Sequence, residues 1–200
     1  MDDIIKRCDW AKKDLLLQEY HDKFWGKPVY DDRILFKMLV LETMQAGLSW
    51  LTVLKKIDNF DRAFDGFDPL IICNYDDKKE QELMEDKGII RNRLKIKSVK
   101  ANAIAFLKIV EEFGSFSKYL WAFVDNKVIE NKREKSSDIP VRTELSDKIS
   151  ADMKKRGFKF VGSITIYSYL EAVGLVNDHL LSCDFRNLDK NTLFAPKKHL

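Results

Sequence analysis

Apolar residues recur at helical spacing over most of this chain, and no stretch alternates long enough to make a useful strand. A helix buries one stripe with a period between three and four, whereas a half-buried strand needs a period of two. That property predicts an all-α fold. The clearest segment is 31–45, where Ile34, Leu35, Met38, Leu39 and Leu41 leave few polar positions, so a largely buried helix is expected. Ala46-Gly47-Leu48-Ser49 interrupts it, and Trp50, Val53, Leu54 and Ile57 mark a second helix. A charged helix over 77–87 is expected to end on Gly88 as its C-cap. A long amphipathic helix covers 95–113, with Gly114 stopping it, and a short aromatic one follows over 116–124. Thr143 or Ser146 can cap a helix ending near Gly157, and the last helix, over 163–172, meets Gly174. The polar segment 125–141, with Ser136-Ser137 and Pro140, reads as a surface loop within one fold.

With 200 residues, 45% of them hydrophobic and 12% aromatic, the chain can bury a sizeable core. One helical domain over 1–186 is expected, with a partly ordered tail over 187–200. The net charge is only +3, so any affinity for nucleic acid must come from local patches. The first 20 residues are charged throughout and contain no leader-like apolar stretch, and no run is long enough to cross a bilayer. Three cysteines cannot pair completely. The expectation is a cytoplasmic protein in a reducing compartment, without a membrane partner.

Two ligand-type pairs lie at opposite ends of the chain. Cys8 and His21 are near the start; His179 and Cys183, four apart near the end, could share one helix face. Thiolate and imidazole suit zinc, and a Cys2His2 set would close a tetrahedral shell with no open position, which means a structural ion. The same residues also read as small buried cysteines and satisfied histidines, and spacing alone does not choose.

Leu35, Met38, Leu39 and Glu42 share the apolar face of the 31–45 helix, so a carboxyl group lies among hydrophobic side chains. Such a group needs a partner. It is either half of an ion pair with a Lys or Arg, or a pocket acid facing a cationic or hydrogen-donating ligand. Trp10, Tyr20, Phe24, Trp25 and Trp50 crowd the same part of the sequence. Flat rings beside a buried carboxylate would suit a flat cationic base, and equally they make a plain aromatic core.

Gly88-Ile89-Ile90-Arg91-Asn92-Arg93 lies between two expected helices. A tight turn there leads into a helix N-terminus, whose backbone N–H groups with Arg91 and Arg93 could hold a phosphate. Lys154-Lys155-Arg156-Gly157 has the same two readings, phosphate contact or solvated helix end.

Taken together, the segments Cys8-Asp9-Trp10, Tyr20-His21-Asp22, Trp25-Gly26, Gln45-Ala46-Gly47-Leu48-Ser49-Trp50, Gly88-Ile89-Ile90-Arg91, Lys154 through Gly162, and Val176-Asn177-Asp178-His179 closely resemble the DNA-3-methyladenine glycosylase I family of the helix-hairpin-helix glycosylases. They run in family order over nearly the whole chain. The resemblance implies a helix-hairpin-helix glycosylase fold, two lobes around a base-binding cleft. It implies one structural zinc on Cys8, His21, His179 and Cys183, joining the terminal segments. It implies that Glu42 contacts the methylated base, that Tyr20 and Trp50 wall the pocket with Trp10 and Trp25 nearby, and that Leu48 enters the DNA stack as an apolar wedge. Gln45, Gly47, Arg91 and Arg93 are the other DNA-contacting positions it suggests. The implied partner is duplex DNA carrying alkylated purines, and the implied enzyme is a monomer that excises 3-methyladenine without cutting the strand. The chain also departs from the family pattern. Asp14-Leu15-Leu16-Leu17 stands where the family has Asp-Pro-Leu-Tyr, so Leu17 replaces a pocket tyrosine. Phe24 replaces a glutamate, Glu171 a glutamine and Leu94 the glycine at the hairpin exit. These changes leave open a second reading, an alkylated-DNA binder with altered specificity or no catalysis.

Overall fold

The computed structural model describes residues 5–187. A 3-10 turn, Asp9–Lys13, leads into α1 (Leu15–Lys23), α2 (Asp32–Gln45), α3 (Trp50–Leu54) and α4 (Ile57–Ala63). Then come α5 (Pro69–Ile72), α6 (Asp77–Glu85), α7 (Arg93–Phe113), α8 (Phe116–Ala122), strand β1 (Ile129–Glu130), α9 (Glu144–Lys155), α10 (Ser163–Ala172) and strand β2 (Val176–Asn177).

The centre of the fold is α2. Helices α3, α7, α8 and α10 all pack on it, so apolar residues are needed on every side, and Leu35, Phe36, Leu39, Val40, Leu41 and Met44 are fully buried. Its start is fixed by Asp31, whose carboxylate accepts the Ile34 N–H at 2.9 Å. Asp32 then reaches across to α8, accepting the N–H groups of Phe116 and Ser117 at 2.8 Å each. One acidic turn therefore anchors two helices. Stacked rings continue the core, with Phe106 lying 5.0 Å from Phe36 and 4.5 Å from Phe116.

Several sequence expectations change in detail. The helix after Trp50 breaks at Lys55 and Lys56 into α3 and α4. Helix α6 ends at Glu85, and Gly88 is not its cap; instead the Asp86 carboxylate accepts the Gly88 N–H at 2.7 Å inside a separate turn. Thr143, not Ser146, caps α9, with Ser146 closing a reciprocal capping box. Helix α1, begun by the Asp14 carboxylate, was not anticipated.

The fold is not purely helical. β1 pairs in parallel with β2, Ile129 opposite Val176 and Glu130 opposite Asn177, and Arg133 bridges to Leu180. The polar 125–141 segment is thus laid along the C-terminal strand rather than left as a free loop. Two residues per strand are too few for any alternation to register in sequence. The described ends also meet: the Lys6 N–H donates to the Asp184 carboxylate at 2.8 Å, and the Asp184 N–H returns a bond to the Lys6 carbonyl at 3.0 Å. Apart from its first residue, the tail expected over 187–200 lies outside the described residues. Among the described residues no helix is long and apolar enough to cross a membrane.

Candidate active site

The C-terminal half of α2 delivers Glu42 into a cavity of about 350 Å3, a volume suited to a small planar ligand. Trp10, Tyr20, Trp25, Gln45 and Trp50 line it with Glu42, and α10 adds Ser168 and Glu171. Tyr20 lies 5.1 Å from Trp50 and 6.2 Å from Trp10, and Trp10 meets Trp25 edge-on at 5.1 Å. The aromatic residues that crowd one part of the sequence are therefore one wall in space.

Glu42 is 4% exposed. It forms no salt bridge among the described residues, and its Oε2 has no hydrogen-bond partner there. The ion-pair reading of this residue is thereby set aside. Burial alone pushes its carboxyl up to about 8. Trp50 Nε1 is a second buried atom without a partner among the described residues. An unpaired acceptor and an unpaired donor thus belong to side chains lining one cavity, where a ligand can satisfy both. Burial, and then the Glu42 and Glu171 charges, hold the Tyr20 hydroxyl well above its usual range.

Glu171 is a pocket residue that the sequence marked only as a departure. Burial, then Asp178 and Glu42, hold its carboxyl well above the ordinary carboxylate range. Ser136, Ile139, Pro140 and Val141 complete the cavity from the segment read as a surface loop, with Val141 exposed at the rim. Their contribution depends on the 125–141 segment being pinned by β2, a long-range pairing with no local signal. Leu17 is buried and is not among the residues that line this cavity.

Beside the aromatic wall, one ligand-type atom from each of Cys8, His21 and Cys183 lies within 4.8 Å of the others. His179 adjoins this group, its ring centroid 5.0 Å from that of His21 and 4.5 Å from that of Trp25. Both imidazoles are oriented through Nδ1. That of His21 meets the Asp22 carboxylate at 2.9 Å, and that of His179 meets Asn177 Oδ1 at 2.9 Å. Asp22 is itself gripped by the Arg7 guanidinium at 2.7 Å. His21 Nε2 then lies 3.5 Å from Cys183 Sγ, and His179 Nε2 is buried without a partner among the described residues. Burial drops His179 to about 3, so its ring is neutral. The Cys183 thiol is drawn down by hydrogen bonds from Cys8 and His21. Cys8, His21 and Cys183 thus converge, with His179 adjoining but outside that close group; thiolates and imidazoles, both rings here held by an outer carboxylate or amide, are donor types that suit zinc. Asp22 and Asn177 were not singled out in sequence as partners of the histidines. Gly26 makes room for the site: at φ +75°, a Cβ there would lie 2.6 Å from His179 Cε1.

A third set of sequence-marked residues lies at or near the surface. Gly47, at φ +81°, turns the chain after α2 and leaves Leu48 43% exposed. Arg91 and Arg93 are exposed at the turn into α7, and neither forms an ion pair among the described residues. Lys56 donates to the carbonyls of Lys87 and Gly88 at 3.2 and 3.0 Å, and Asn59 donates to Gly88 at 3.2 Å, which fixes that turn. Arg156, by contrast, is held by Asp152 at 2.7 Å and Glu112 at 2.6 Å, so the Lys154–Arg156 run ends in an ion-pair node rather than a free cation.

The chain is similar in sequence and in fold to known proteins. The family model for methyladenine glycosylases matches residues 10–187. DNA-3-methyladenine glycosylase 1 of Escherichia coli (strain K12) is 42% identical over 179 residues, covering 90% of this chain and 96% of that protein. A crystal structure of 3-methyladenine DNA glycosylase I superposes with a TM-score of 0.87 at 44% identity, over 90% of this chain and 98% of the other. A structure describing 3-methyladenine recognition by the Staphylococcus aureus glycosylase superposes with a TM-score of 0.87 at 39% identity, over 90% and 96% of the two chains.

Proposed function

The chain belongs to the methyladenine glycosylase family, and from that premise we propose that it excises 3-methyladenine from duplex DNA by hydrolysis, leaving an abasic site. The observation that carries this reading is the buried, unpartnered Glu42 carboxyl in an aromatic cavity. N3-methylation gives the attached purine a positive charge, so the base is already a good leaving group and needs no protonation. What remains is extrusion, recognition and stabilisation of charge. Glu42 accepts hydrogen bonds from the adenine edge and opposes its charge, Trp50 and Tyr20 supply the walls, and Leu48 fills the gap that the base leaves. The bond from the sugar C1′ to the base nitrogen breaks, its electron pair leaves with the base, and a water oxygen bonds to C1′ and loses a proton. No lysine amine is assigned to attack the sugar, so the reaction stops at the abasic site with the strand intact.

The turn through Arg91 and Arg93 into α7 is, on this reading, the hairpin that holds DNA phosphates, with Gln45 and Gly47 beside the wedge. Cys8, His21, His179 and Cys183 hold one structural zinc; the clustering of Cys8, His21 and Cys183 and the unpaired His179 Nε2 beside them support it. The zinc fixes the two terminal segments behind the aromatic wall and takes no part in bond breaking. One domain, acting as a monomer in the cytoplasm, suffices for this chemistry.

Altered specificity is the second reading. It is favoured by Glu171, a second carboxyl on the cavity. Release of free base from methylated duplex DNA separates the readings. Chromatography should find 3-methyladenine, and intact strands until alkali is added. Absence of free base with tight, salt-dependent binding to the methylated duplex would overturn the enzymatic reading.

A further inference from the structure

Lys95 is the one lysine or arginine that is buried among the described residues, 5% exposed, and its amino group reaches out of its own helix. It donates to the carbonyl of Met44 at 2.9 Å and to that of Ala46 at 2.7 Å. Those carbonyls belong to the last turn and the cap of α2, where helix geometry leaves oxygens without intrahelical partners. The carbonyl between them, of Gln45, accepts the Leu48 N–H. A cation at this end also opposes the partial negative charge of the helix. Lys95 itself sits in the first turn of α7, where its backbone N–H donates to the Asn92 cap at 3.1 Å, two and four residues from Arg93 and Arg91.

One side chain therefore ties three pieces together: the end of the helix that carries Glu42, the turn that presents Leu48, and the helix start that faces DNA. We propose that Lys95 is a positioning residue that couples docking of the α7 start on DNA to insertion of Leu48 and extrusion of the base. The inference rests on the glycosylase reading. Lys95 is too buried to touch a phosphate and does not line the cavity, so it acts through the α2 terminus and not on the base.

The predicted signature is a defect in extrusion without a defect in base binding. Three measurements on the full chain resolve it: single-turnover release of 3-methyladenine from methylated duplex, release from an unheated oligonucleotide methylated and kept single-stranded, and affinity for free 3-methyladenine read by tryptophan fluorescence. Lys95→Met should slow release from duplex about tenfold or more, yet change the other two by about twofold or less. Lys95→Arg, which keeps donors for both carbonyls, should recover most of the duplex rate. Equal losses in all three measurements, an unchanged duplex rate, or Lys95→Arg as slow as Lys95→Met would overturn the proposal. If the wild-type chain releases no base from either DNA, the glycosylase reading fails first, and that is visible without any variant.

Discussion

Replacing Glu42 by glutamine converts the burial of one carboxyl into a stability that depends on pH. Burial moves this group from its ordinary 4.5 up to about 8. Between those values the folded chain keeps a proton that the unfolded chain has released, so stability falls as pH rises. Below the lower value both states are protonated and the residue costs nothing; above the upper value the cost is complete. At 1.36 kcal/mol per unit, the cost is about 1 kcal/mol at pH 5, about 3 kcal/mol at pH 7 and about 5 kcal/mol at pH 9. The amide in Glu42→Gln does not titrate. It carries a constant penalty of its own as a buried polar group, so the trend with pH is the readout rather than any single difference. Glu171 and Tyr20 are held up in part by the Glu42 charge, so removing that charge relieves them as pH rises and adds to the trend in the same direction. Urea unfolding of both proteins at the three pH values measures it. The hypothesis predicts that the variant gains on wild type by about 2.5 kcal/mol from pH 5 to pH 7, and by somewhat over 1 kcal/mol more by pH 9. A difference that stays constant across this range would mean that Glu42 ionises without penalty, hence with a partner, and the pocket-acid argument would be refuted.

Three further predictions test the other groups. Metal analysis of the purified chain is expected to find one zinc per molecule, and a strong chelator should lower the melting temperature by roughly 5–10 °C, on the order of 2–3 kcal/mol for a chain this size; four intact ligands with no bound metal would sink the zinc site. Gly26→Ala should disturb the same site from outside it, because the added carbon would lie 2.6 Å from the His179 ring at a backbone φ of +75°; a variant that keeps full zinc content and stability would show that the His179 position is wrong. Leu48→Ala should leave stability within about 0.5 kcal/mol, since the side chain is largely solvated, while slowing single-turnover excision from duplex by an order of magnitude; an unchanged rate would remove Leu48 from the role of wedge.

Much of this arrangement was legible in the sequence, for identifiable reasons. Helix α2 announces itself because burial on all sides demands an almost unbroken apolar run, and Glu42 stands out in that run as the residue that does not belong. Sequence could not decide between ion pair and pocket acid, because the answer depends on what α10 and the 136–141 segment bring to the same place. The Cys and His pairs were visible as residue types, but their meeting is a contact across 162 residues, from His21 to Cys183, that no local pattern encodes. The pairing of β1 with β2 was invisible. Its two-residue strands carry no period, and they hold in place the part of the cavity that was read as a loop. Glu171 was noticed only against the family pattern; local spacing places it on a helix without saying that it shares a cavity with Glu42.

The cost of ionising Glu42 bears on how such a pocket could tell damaged from normal adenine. At pH 7 the empty cavity holds a neutral carboxyl, and releasing its proton costs about 1.4 kcal/mol for the single unit that separates pH 7 from a value of about 8. A cationic base about 4 Å away offers about 4 kcal/mol of attraction to the carboxylate at an effective dielectric of 20. On the proposed reading that attraction exceeds the cost, and entry of the cation would draw the proton off to water. Neutral adenine offers no such attraction, and the carboxyl stays protonated in its presence. The surplus, about 3 kcal/mol, would then serve selectivity and charge stabilisation rather than the holding of every base that flips. Discrimination of this kind requires Glu42 to be unpartnered while the cavity is empty. A lysine or arginine beside it would keep it ionised in both cases, neutralise its field, and erase most of the difference between the two bases.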